Sequence, residues 1–156
     1  MKFTLIKDLK QDFLMKPILS GLLIFTLLYL IADVIVKNAT IGIFFNDIAY
    51  NLFGNEEEFL DPMLQSVFLE FWHIEIFFIM MILLSLSAVY IRLSTMSTIN
   101  LIILNTTLLS AILSLVSIVL SYFVWDSFLI VYVISFFLWH ILSFYMALIS
   151  LWNLHI

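Results

Sequence analysis

The chain has 156 residues, 65% hydrophobic and 11% charged, with a mean hydropathy of +1.21. Soluble domains average about 45–50% apolar and about 25% charged residues, so this composition excludes an ordinary water-soluble globule, and it is too apolar for a disordered chain. Three glycines, two prolines and no cysteine rule out collagen-like and disulfide-stapled scaffolds, and a net charge of −5 with six Lys+Arg excludes nucleic acid as a partner.

An integral membrane protein remains, and its elements can be taken in chain order. MKFTLIKDLKQDF places Phe3, Ile6, Leu9 and Phe13 on one helical face, with Lys2, Lys7, Lys10 and Gln11 largely elsewhere. This pattern predicts an N-terminal amphipathic helix on a leaflet surface. No cleavable signal is expected, because the basic start runs into a full-length span. The first span covers about residues 17–36, interrupted by Asp33. IGIFFNDIAYNLF then predicts a short interfacial helix in the first extracytoplasmic loop, with Ile41, Phe44, Phe45, Ile48 and Leu52 on its apolar face. It would rest on the outer leaflet or pack as a lid over the mouth of the bundle.

The second span covers about residues 72–92, and Asp61-Pro62 predicts an earlier helix start, Asp as N-cap and Pro at the first helical position. Such a helix would reach roughly 46 Å, against a hydrocarbon core of about 30 Å. The third and fourth spans cover about 99–123 and 127–152. Trp72, Trp125 and Trp152 fall where interfacial anchors are expected. With no repeats or linkers, the fold expected is all-α: one domain, 1–156, of four transmembrane helices in an antiparallel bundle.

Lys2, Lys7, Lys10, Lys16 and Arg92 lie on one side of these spans and Lys37 on the other. This bias predicts a multi-pass protein of a bacterial-type inner membrane with both termini cytoplasmic.

One small or polar stripe per span forms the bundle seam: Thr26, Tyr29, Asp33 and Lys37 on the first; Glu70, His73, Phe77, Met81, Ser85, Ala88 and Arg92 on the second. The third contributes Thr106, Ser110, Ser114, Ser117 and Ser121, the fourth His140, Ser143, Ala147 and Ser150.

Ionisable residues at membrane depth are costly and mark functional sites by default. Glu70 and His73, three apart in LEFWHIE, project from one helix face, and Asp33 lies at a similar depth. Together they make a candidate divalent-metal or proton site at the outer mouth, with oxygen and imidazole donors suited to Zn, Mn or Fe. The plain alternative pairs Asp33 with Lys37 at i,i+4 and leaves Glu70 and His73 at the interface. Glu75, about 200° around the helix from His73, is expected to face a partner. His140 lies nearly 20 Å below His73, too far for the two to share one haem within a chain. It could bind b-type haem across a dimer axis, or bond a third-span hydroxyl or Asn105.

Gly-rich phosphate loops, HExxH and nucleophile elbows are absent. The first functional expectation is therefore a non-catalytic accessory or assembly subunit of a larger membrane complex or homo-oligomer. Glu56, Glu57, Glu58, Asp61 and Glu70 would form its outer acidic surface. The metal or proton site and the dimeric haem carrier are the alternatives.

Overall fold

The computed structural model describes residues 13–56, 59–95 and 97–156. It contains five helices: α1 (Met15–Thr40), α2 (Phe45–Phe53), α3 (Gln65–Leu93), α4 (Thr98–Phe123) and α5 (Phe128–His155). All but α2 are long and apolar enough to cross a membrane. At 1.5 Å per residue the four span about 39–44 Å, so each overhangs a hydrocarbon core of about 30 Å at its ends. They form the expected antiparallel bundle, with no strand among the described residues. The N-terminal amphipathic helix falls outside the described residues, Phe13 excepted.

In lipid the outside of a bundle is as apolar as its inside, so small residues decide which faces meet. Helix α5 is the hub, packing against each of the other four helices, most extensively against α4. The expected faces of α4 and α5 are buried: Ser110, Ser114, Ser117 and Ser121 on one, His140, Ser143, Ala147 and Ser150 on the other. On α1, Thr26, Asp33 and Lys37 are buried as expected.

Helix α3 departs from expectation. Its buried face is Phe68, Ile79, Leu83, Leu86, Val89, Tyr90 and Leu93, with Trp72 and Glu75 half-buried on the same side. Glu70, His73, Phe77, Met81, Ala88 and Arg92 are exposed. Trp72 is not an interfacial anchor: its Nε1–H donates to the Leu115 carbonyl of α4 at 3.0 Å. Trp125 and Trp152 are exposed.

The start of α3 also differs. Its N-cap is Leu64, in extended conformation. The preceding residues are held by tertiary bonds: Met63 N–H donates to the Leu52 carbonyl at 3.2 Å, and the Tyr122 hydroxyl donates to the Met63 carbonyl at 2.8 Å. These two bonds override the Asp-Pro start signal and fasten the segment to α2 and α4.

Helix α2 packs as a lid. Ile41, Ile48 and Leu52 are buried in one core cluster with Phe68, Leu129, Tyr132, Phe136 and Trp139, whereas Phe44 and Phe45 remain exposed. The turn into it needs Gly42, at φ 85°. Its N–H donates to the Lys37 carbonyl at 2.8 Å, closing α1 in the manner of a left-handed glycine cap. A Cβ there would lie 2.4 Å from the Asp47 Cβ.

Candidate functional site

The core of the bundle divides in two. A cluster without ionised side chains (Leu19, Leu23, Leu86, Val89, Tyr90, Leu104, Met146 and Leu154 among it) fills the end near the N-terminus of α1. Towards the α2 lid, the interior instead encloses four ionisable side chains from three helices.

Lys37 organises them. It is 3% exposed, and its Nζ meets Asp33 Oδ2 at 3.1 Å, one turn back on α1, and Glu75 Oε2 at 2.5 Å across on α3. The ammonium also stands 4.6 Å from the centroid of the Phe136 ring, a cation–π contact. Asp33 Oδ2 is shared with α5, lying 2.9 Å from His140 Nε2.

Asp33 sits seven residues before the end of α1 and His140 twelve residues after the start of α5. Counting rise alone would separate them by about 8 Å. Two features close that gap. The start of α5 packs under the lid, with Leu129 buried in the same cluster as Ile48 and Leu52. Side chains also lean toward the N-terminus of their own helix. In antiparallel helices Asp33 and His140 therefore lean toward each other.

The hydrogen bonds around His140 fix a proton count. Nδ1 lies 3.1 Å from the Phe136 carbonyl, and Nε2 2.9 Å from the Asp33 carboxyl oxygen. A carbonyl and a carboxylate both accept, while a neutral imidazole has a single N–H to give. Satisfying both contacts takes two protons in the His140–Asp33 pair. Formal charge agrees: with neutral His140, the Lys37 cation and the two carboxylates sum to −1, and one more proton makes the set neutral.

A cavity of about 10 Å³, close to the minimum that holds one water molecule, adjoins the cluster between Lys37, Glu75, Trp72, Ser114 and Tyr132.

The expected metal triad does not assemble. Asp33 is buried against Lys37 and His140, whereas Glu70 and His73 lie exposed on the other side of α3. No group of three or more candidate ligands occurs among the described residues. Of the alternatives weighed on the sequence, the Asp33–Lys37 pair at i,i+4 is present. His140 is 6% exposed, both its ring nitrogens are engaged, and its partner is Asp33 rather than an α4 hydroxyl or Asn105. Glu75 does not face outward to a partner but inward to Lys37, because the packed face of α3 is the one bearing Phe68, Trp72 and Ile79. Glu56 is exposed, and Glu57 and Glu58 lie outside the described residues.

What sequence reasoning missed was the second acid beside Lys37: Lys37 stood on the first span's seam next to Asp33, but Glu75 was not paired with it. The signal was present: Lys37 is the one cation of the first helix beyond its first turn, and a buried ammonium requires an acid from a neighbour.

Residues 42–156 match a family model, Aq_1264_TM, described as a transmembrane helical domain. The matched region contains Glu75 and His140; Asp33 and Lys37 precede it. No curated protein and no solved structure matches the chain. The match spans most of the chain, which therefore belongs to this transmembrane helical domain family.

Proposed function

We propose that this member of a transmembrane helical domain family is a non-catalytic, multi-pass membrane protein that takes up and releases a proton at the buried Asp33–Lys37–Glu75–His140 centre. The observation that carries the reading is the pair of acceptors facing one imidazole, Phe136 O and Asp33 Oδ2. His140 and Asp33 share the exchangeable proton, Lys37 balances the two carboxylates, and Glu75 links the centre to the water-sized cavity. Loss of the proton leaves a net −1 in the bundle interior, a charge that an apolar environment penalises heavily. Proton release would thus loosen the contacts that α1, α3 and α5 make through the centre.

The test is a pH-jump titration of the purified protein in lipid nanodiscs, with proton uptake counted by an external indicator. Wild type should take up about one proton per chain more than His140→Gln, since the amide cannot carry it. Identical uptake curves for wild type, His140→Gln and Glu75→Gln would refute the proposal.

The proposed orientation, both termini cytoplasmic in a bacterial-type inner membrane, is supported by the burial of Lys37. With that residue withdrawn into the bundle, the remaining five basic residues all belong to one side. A role as subunit of a larger assembly retains the exposed Glu56, Asp61 and Glu70, and loses Glu75 as its support.

A further inference from the structure

Helix α4 turns a second face outward, apolar except at one position. Opposite its serine seam, Ile102, Leu109, Ile112 and Val116 are 58%, 68%, 59% and 47% exposed, and Asn105 is exposed between them. The spacings 3, 4, 3 and 4 repeat at 3.5 residues, the period of a left-handed helix–helix seam.

Asn105 is the anomaly in that seam. It lies about 10 Å from the N-terminal end of a helix about 39 Å long, which in a core of about 30 Å puts it inside the hydrocarbon layer. Its side chain has no hydrogen-bond partner among the described residues. Lipid chains offer neither donor nor acceptor, so an amide facing them is left unsatisfied, at a cost that isoleucine or leucine at the same position would not incur.

The occupant that resolves this is a second copy. A carboxamide carries both a donor and an acceptor and is its own complement. Copies inserted with one topology are related by a two-fold axis along the membrane normal, which sets the two Asn105 residues at one depth. The same operation lays seam against seam in parallel. We propose that the chain forms a symmetric dimer through the Ile102–Asn105–Leu109–Ile112–Val116 face of α4, registered by a pair of Asn105–Asn105 hydrogen bonds. A single polar residue in an otherwise apolar seam is a known device for fixing register and oligomer number.

The full chain has no cysteine, so single cysteines report on chosen faces without interference. In liposomes of the purified protein, Ile112→Cys should cross-link to itself on oxidation. Ile141→Cys, equally exposed on α5, should not. Single-molecule photobleaching should find wild-type dimers and a roughly tenfold weaker association for Asn105→Leu, the order expected of an interhelical amide pair. Asn105→Gln, which keeps the amide, should retain most of the affinity. The proposal is overturned by monomers at every lipid dilution, by equal cross-linking at Ile112 and Ile141, or by Asn105→Leu dimers as tight as wild type. Cross-linking of Ile112→Cys in native membranes exclusively to a different protein would likewise overturn it.

Discussion

The two polar regions of the bundle, the α4–α5 serine seam and the Asp33–Lys37–Glu75–His140 centre, look alike as sequence stripes and behave differently as structure. On the seam, most hydroxyls bond their own helix: Ser110 to the Thr107 carbonyl, Ser114 to Ala111, Ser121 to Ile118, Ser135 to Tyr132, at 2.7–3.0 Å. Ser143 and Ser150 are buried without a partner. None of the four bonded hydroxyls needs the neighbouring helix for its polarity; all six residues are small, and α4 and α5 approach closely because of it. The ionisable centre is the reverse case. A turn of helix cannot neutralise an ammonium between two carboxylates, so each group recruits a side chain from another helix. In lipid, a small hydroxyl serves as a spacer, whereas a charge that its own helix cannot neutralise becomes a tie between helices.

That contrast can be broken experimentally, most severely at Lys37. Lys37→Met leaves Asp33 and Glu75 buried without their cation and should cost about 3–5 kcal/mol, read by reversible unfolding in mixed micelles. Adding Glu75→Gln to Lys37→Met should recover part of that loss, because one uncompensated carboxylate is removed; no recovery would mean that Glu75 is not the partner of Lys37. On the seam, a gain of volume should matter where loss of a hydroxyl does not. Ala147, fully buried in the apolar cluster, should destabilise by about 1–3 kcal/mol as Ala147→Leu through overpacking. Gly42→Ala should cost about 1–2 kcal/mol by forcing a side chain into the left-handed turn between α1 and the lid. Ser117→Ala should change stability by about 0.5 kcal/mol or less, since that hydroxyl serves only the Leu113 carbonyl one turn back.

The sequence announced the four spans to within a few residues at most boundaries, and three of the four packed faces. It misled on α3 for a physical reason: a membrane helix is apolar all round, and α3 lacks the run of small residues that marks the inner faces of α4 and α5, so its ionisable residues decided the reading. Three stood close together, Glu70, His73 and Glu75, and i,i+3 spacing favoured the first two. The deciding fact, that Lys37 is buried and requires an acid, belongs to the packing of α1 against α3 and α5. Asp61-Pro62 failed for a similar reason, because hydrogen bonds from Met63 to Leu52 and from Tyr122 to Met63 outweigh a local start signal.

The central claim is that His140 and Asp33 hold two protons between them. Nitrogen-15 solid-state NMR of the protein in bilayers, with the His140 signals assigned by comparison with His140→Gln, measures this directly. Nδ1 protonated toward the Phe136 carbonyl is predicted, with Nε2 either protonated toward the Asp33 carboxylate or accepting from its carboxylic acid. A neutral ring opposite an ionised Asp33 would contradict it.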